Sequence, residues 1–361
     1  MLRSLDINSF TVFSPQTDFT FAKGINVIIG ENGLGKSHLL KLAYSVVSVC
    51  EPLQRNNNVN KQQFQRAIAR KLVGVFRPDY LGRLTSRKSG RTRCEIGVHF
   101  FANACNYHFS FASNSREEVT IDERMVKLSD TTAIFLPTME IISIFPGFSS
   151  LYREKHLSFD ETYYDLCLAL ERSLSKGARY DSVRKFLDPI EEILQGRIRC
   201  ENGRFYLTLP GTGNMEMPLV AEGHRKLATI AYLLANGSIL KNGILFWDEP
   251  ETNLNPALMR DLAKILIHLA NMGIQIFLTS HNLFFIKELD LQLQIQRKRE
   301  NGKKGGEKIP SKWFAFSAPT SEKEIQISSG NALEEVEPIR CLDVELEQSE
   351  AYYRFTNENY S

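Results

Sequence analysis

Short apolar runs, each closed by turn residues, alternate along this chain with longer stretches of helical spacing. Residues 25–29, 132–136, 244–247 and 274–278 are almost wholly apolar and read as strands buried on both faces. Alternating apolar and polar positions give strands at 2–13 and 18–21, separated by Ser14-Pro15. The same alternation gives a hairpin from 94–101 and 107–111, with a short strand at 119–121. A second hairpin, 197–200 with 205–209, turns at Glu201-Asn202-Gly203, and further strands fall at 313–316 and 325–328. Apolar residues at helical spacing predict helices at 37–49, 62–76, 159–174, 222–234 and 256–270, and one at 183–194 interrupted at Pro189. In 62–76 the apolar face is Phe64, Ile68, Leu72 and Val75. From 243 to 289 the order is strand, helix, strand, helix, which calls for a parallel sheet with crossover helices. The expected fold class is therefore α/β, with antiparallel and helical insertions. No internal repeat appears, and no heptad run is long enough for a coiled-coil arm.

The strand at 25–29 runs into Gly30-Glu31-Asn32-Gly33-Leu34-Gly35-Lys36-Ser37, a complete G-x-x-x-x-G-K-S phosphate loop, and a helix follows. Such glycines let backbone N–H groups turn inward around a polyphosphate at a helix N-terminus. Lys36 is placed to reach the β- and γ-phosphates, and the Ser37 hydroxyl to ligate Mg²⁺. His38 completes the candidate nucleotide-binding run. The strand 244–247 ends in Asp248-Glu249-Pro250. A strand tip in a parallel sheet brings these carboxylates beside the phosphate loop: Asp248 for the metal, Glu249 as general base toward water. The strand 274–278 ends in Thr279-Ser280-His281, where His281 can hydrogen-bond the γ-phosphate and the lytic water. Each of the latter two has a plainer reading, a helix cap and a surface histidine.

Composition narrows the setting. The chain has 361 residues, 43% hydrophobic, with a net charge of only +2, so no strong overall field acts on partners. Charge is uneven, however. Between Arg55 and Arg93 lie eleven basic side chains against Asp79 alone, a candidate surface for DNA or RNA or simply a solvated loop. The C-terminal stretch is acidic and can pack against it. Six cysteines stand singly, without a C-x-x-C pair, so reduced and mostly buried thiols are expected. With no signal-peptide pattern and no membrane-length apolar run, a cytoplasmic protein is expected.

The order of phosphate loop, Asp-Glu-Pro and Thr-Ser-His resembles the ABC-type ATPase head. The run Asp248-Glu249-Pro250-Glu251-Thr252-Asn253-Leu254-Asn255-Pro256, with Glu-Asn-Gly in the phosphate loop, is similar to the non-transporter branch of SMC-like, RecF-like and OLD-like ATPases. The resemblance implies a P-loop NTPase with a mainly parallel sheet, an antiparallel β subdomain and an inserted helical subdomain. It covers residues 1–289, with insertions at about 55–130 and a helical lobe at about 141–195. An extension with a basic loop (297–308) and an acidic end occupies 290–361. It implies ATP and Mg²⁺ as cofactors and head-to-head homodimers with ATP between one subunit's phosphate loop and the other's signature helix. That signature corresponds to Leu219-Val220-Ala221-Glu222-Gly223-His224-Arg225-Lys226, with Gly223 facing a γ-phosphate across the interface. Ala221 departs from the family's serine. Leu136-Pro137-Thr138-Met139-Glu140 departs from its glutamine, leaving Thr138 or Glu140 for the metal. Phe10 or Phe13 either stacks on adenine or belongs to the core. By analogy with bacterial anti-phage systems, including retrons, the implied role is control of a separate effector, a nuclease encoded nearby; a weakly hydrolysing scaffold holding a partner or a noncoding RNA–DNA and a RecF-like repair ATPase are the alternatives. No nuclease motif is present in the chain itself.

Overall fold

In the computed structural model, which describes residues 1–51, 60–86, 92–121, 131–175, 177–301, 308–318 and 325–358, the apolar runs become the strands of one central sheet. The elements in chain order are β1 (Leu2–Asn8), β2 (Thr17–Thr20), β3 (Ile25–Gly30), α1 (Lys36–Ser48), α2 (Lys61–Phe76), β4 (Arg93–Phe100), β5 (Tyr107–Ala112), β6 (Thr120–Ile121) and β7 (Ala133–Leu136). They continue with α3 (Phe148–Arg153), α4 (Glu161–Leu170), α5 (Ala178–Leu194), β8 (Arg197–Glu201), β9 (Arg204–Leu209), β10 (Gly213–Glu216), α6 (Glu222–Ala235) and β11 (Ile244–Trp247). The last are α7 (Pro256–Asn271), β12 (Gln275–Ser280), α8 (Leu283–Asn301), β13 (Ser311–Ser317), β14 (Gln326–Gly330) and α9 (Arg340–Glu358).

The central sheet has the order β14-β13-β3-β12-β11-β7, parallel except for β14. Its strands are buried on both faces, and successive residues serve different cores. Ile25, Val27, Ile29, Leu245, Trp247, Ile276, Leu278 and Trp313 pack with the helices α4 to α8. Ile28, Phe246, Phe277, Phe314 and Phe316 pack with α1, α2 and the antiparallel sheet β2-β1-β4-β5-β6. Both tryptophans of the chain thus lie on the first side. Gln275, fully buried, ties the two sheets: its amide accepts from Leu2 N–H and donates to the carbonyls of Leu2 and Ala22.

Several boundaries differ from the pattern reading. The first strand stops at Asn8, because Ser9 and Thr11 take left-handed backbone and turn the chain back over Phe10 and Phe13. Both phenylalanines are buried, at 0% and 2% exposure, and belong to the core, not to an open base-stacking surface. Helix α5 runs straight through Pro189. The proline sits on the exposed side of the helix, where water can satisfy the carbonyl it leaves unbonded. Helix α8 continues to Asn301, through part of the segment read as a Lys/Gly-rich loop, and β10 and α9 carry too little alternation to have been expected. Strand β13 pairs in parallel with β3, beside the phosphate-loop strand.

Several side chains of the basic stretch have partners elsewhere in the fold. Lys71 donates to Glu161 at 2.6 Å and to Asp165 at 2.8 Å, Arg66 pairs with Glu118, and Arg77 donates to the Ser158 carbonyl. Arg55, Arg87, Lys88 and Arg91 lie outside the described residues. Among the described residues the neighbour of the acidic helix α9 is α8, and its side chains are exposed except for the half-buried Thr356. Four cysteines are buried and Cys200 half-buried, while the side chain of Cys341 lies outside the described set.

Candidate functional site

The phosphate loop is shaped by glycines that no other residue can replace. Gly30 and Gly35 have φ of 155° and 87°, and a Cβ would meet the Phe316 carbonyl oxygen at 2.6 Å in the first case and Val12 Cγ2 at 2.4 Å in the second. Helix α1 starts directly after Gly35 with no side-chain cap, so its first-turn N–H groups remain directed at the loop. Lys36, 5% exposed, bends back over that loop and donates to the carbonyls of Gly30 (2.7 Å) and Glu31 (2.9 Å). Glu31, Asn32 and Gly33 are exposed, whereas Leu34 is buried in the core behind the loop. His38 is half-buried with its ring edge-on to Phe76, and burial, then the nearby Lys41, lowers its pKa. Its imidazole is a packing group in this arrangement.

Register brings the second half of the site to the loop. Trp247 pairs with Leu278 and Thr279 with Ile28, so the tips of β11, β12 and β3 adjoin. Asp248 Oδ1 accepts from Thr279 Oγ1 at 2.6 Å and from Ser37 Oγ at 3.0 Å. Burial raises the Asp248 pKa, and these two hydroxyl donors pull it back down. The Thr279 hydroxyl also accepts the N–H of Glu249 at 3.0 Å, which fixes both carboxylates to one strand end. Glu249 has φ of 47°, a left-handed conformation uncommon for a side chain of this size. Its Oε1 lies 3.0 Å from His281 Nδ1. Ser37, Asp248 and Glu249 are thus linked through the Asp248 carboxylate and the Thr279 hydroxyl, with His281 beside Glu249. Among the described residues no cluster of three or more His, Cys, Asp or Glu is placed to hold a metal. The hard oxygens of Ser37 and Asp248 nevertheless fit Mg²⁺ completed by phosphate oxygens and water.

Three residues escaped the pattern reading. Thr279 was visible only as part of a motif; its double role depends on a strand register that sequence does not display. Glu251, 3% exposed, accepts from Ser280 Oγ at 2.5 Å and locks the turn after Glu249 to the end of β12. Lys226, 4% exposed, donates from Nζ to the Thr252 carbonyl at 2.7 Å, and burial lowers its pKa.

Gly223 stands in the first turn of α6, three residues before Lys226. A methyl there would press on Leu254 and Leu258 at 2.7 and 2.5 Å, so glycine is what lets α6 approach α7. Ala221 occupies the N-cap without any side-chain hydrogen bond. Glu140 is bound to Arg225 at 2.9 Å and to Ser143.

Comparison with known proteins agrees with this architecture. Residues 114–287 match the family described as "AAA domain, putative AbiEii toxin, Type IV TA system". No curated protein sequence matches the chain significantly. Among solved structures, the chain is similar to an SMC head bound to the C-terminal winged-helix domain of ScpA, at 12% identity and a TM-score of 0.55 over 92% of this chain and 98% of that one. It is also similar to an SMC head with extended coiled coil bound to the C-terminal domain of ScpA derived from Pyrococcus furiosus. There the identity is 12% and the TM-score 0.52, over 96% of this chain and 99% of the other. The fold is that of an SMC-type, ABC-ATPase P-loop head.

Proposed function

We propose that this chain binds ATP with Mg²⁺ and hydrolyses it as a head-to-head homodimer, using the conformational change to control a separate effector. The observation that carries the reading is the single hydrogen-bonded node of Ser37, Asp248 and Thr279 with Glu249 and His281 beside it. The loop N–H groups and Lys36 would hold the β- and γ-phosphates, and Ser37 and Asp248 the metal, which supplies charge neutralisation to the phosphoryl group. Glu249 accepts a proton from the attacking water, and His281, hydrogen-bonded to it, orients that carboxylate. The first turn of α6, with Gly223 and no side-chain cap, would meet the partner subunit's nucleotide.

The effector reading is supported by the toxin–antitoxin description of the matching family and by the absence of a nuclease motif in the sequence. It makes the chain the ATPase of a bacterial anti-phage module, its effector most simply a nuclease from a neighbouring gene. A second reading, a slowly hydrolysing ATP-bound scaffold, is favoured by Ala221, which brings no hydroxyl to the N-cap. The test is Glu249→Gln. It should retain ATP, lose turnover by about two to three orders of magnitude and elute as an ATP-dependent dimer. Turnover at the parental rate would remove Glu249 from its role. Negligible parental turnover, with and without the neighbouring gene product, would select the scaffold.

A further inference from the structure

Glu140 follows β7, the edge strand of the central sheet, and its side chain is only 6% exposed. One carboxylate oxygen lies 2.9 Å from Nε of Arg225, whose side chain is 18% exposed. The same carboxylate accepts from Ser143 N–H at 3.1 Å and Ser143 Oγ at 2.5 Å, so both oxygens are engaged. Arg225 belongs to the first turn of α6. Its neighbours in that turn are tied to the other side of the site: Lys226 Nζ donates to the Thr252 carbonyl at 2.7 Å, and Asn253 Nδ2 donates to Glu222 Oε1 at 2.9 Å. Thr252 and Asn253 come three and four residues after Glu249. Gly223 seats the same turn against Leu254 and Leu258. The start of α6 is thus anchored to the ends of two catalytic-sheet strands, to β7 through Glu140 and to the β11 loop through Thr252 and Asn253.

We propose that the Glu140–Arg225 pair, with the Lys226–Thr252 link, is a positioning device that makes the first turn of α6 and the loop carrying Asp248 and Glu249 move as one. The inference rests on the dimeric ATPase reading above. When the first turn of α6 engages the nucleotide of a second copy, the displacement reaches this chain's own Glu249 through these anchors. Each subunit's hydrolytic carboxylate is thereby set by what its α6 touches on the other subunit. The buried setting matters. An exposed pair is easily replaced by water, whereas removing one member of a buried pair leaves a charge without compensation and disturbs its surroundings. Glu140, one of two residues left for the metal in the segment that lacks the family's glutamine, is then a positioning residue, not a metal ligand.

The experiment compares Glu140→Gln, Arg225→Gln and the charge swap Glu140→Arg with Arg225→Glu. Each single variant should bind ATP within about twofold of the parent by calorimetry, keep KM, and lose at least about tenfold in kcat. The swap should recover kcat to within about threefold of the parent. Parental turnover in both single variants overturns the proposal. So does a swap that restores the melting temperature but not kcat, which would leave only a packing role. If the variants do not fold, hydrogen exchange on the unaltered protein decides. A non-hydrolysable ATP analogue should change protection at 138–143 and 222–226 together, and a change confined to one segment overturns the coupling. A parental chain that binds no ATP instead sinks the ATPase reading itself, a result distinct from all of these.

Discussion

The hydroxyl of Thr279 donates to Asp248 and accepts from the Glu249 backbone, so one side chain orients the proposed metal ligand and the proposed general base together. Thr279→Val keeps the shape and removes the hydrogen bonds. The expected result is a loss of about tenfold to a hundredfold in kcat. The sign of the pH effect follows from Asp248. Burial already raises its pKa and Thr279 lowers it, so the variant's Asp248 titrates higher still and the acid limb of the rate profile moves to higher pH. A limb that stays in place or moves to lower pH would show that Asp248 does not govern it. Lys36→Ala removes a cation from the phosphate cradle and should weaken ATP binding by about 2 kcal/mol, roughly thirtyfold, in calorimetry. Lys36, Ser37, Asp248, Glu249 and His281 could be read from sequence because each sits at a strand tip or helix start with a spacing that chemistry constrains. The hydrogen-bond partners of Thr279, Glu140 and Lys226 could not be read, since they depend on how strands and helices are seated.

Among the elements, the most legible were those with pure periodicity: β11 falls at residues 244–247 as expected, and α2 buries Phe64, Ile68, Leu72 and Val75. Asn255-Pro256, noticed first as part of a family-like run, has a local physical reason. Asn255 caps α7 by accepting from Leu258 N–H at 2.9 Å, and Pro256 takes the first helical position, where no N–H is needed. Asn255→Ala should cost about 1 kcal/mol, read as a lower denaturant midpoint with an unchanged slope. Illegible elements share a cause. Proline normally argues against a continuous helix, and only the exposed orientation of Pro189, a tertiary fact, permits α5 to continue. Helix α9 has mixed polar and apolar positions, and its described side chains form no buried face, so its existence is not announced by periodicity.

For the whole molecule, the mainly parallel sheet, the antiparallel layer and the helical insertions appear as the pattern required, and among the described residues no helix is long and apolar enough to cross a membrane. Val336 and Ile339 are buried in the core beside the helices, whereas Val344, Leu346, Tyr352, Tyr353 and Phe355 on α9 are exposed by half or more. Truncation after Ile339 should therefore leave the melting temperature within about 2 °C of the parent and ATP binding intact. A larger fall would assign α9 a stabilising role within the monomer.

The partition of the central sheet has a spectroscopic consequence. Trp247 and Trp313 both face the helical compartment, while the phosphate-loop helix shares its compartment with Tyr44, Tyr107 and a group of phenylalanines. Indole emission will register loosening on the helical flank and stay nearly silent to events on the opposite one. Selective indole excitation can then time the helical flank during unfolding without an added label, whereas tyrosine, present on both flanks as Tyr44 and Tyr232, isolates neither.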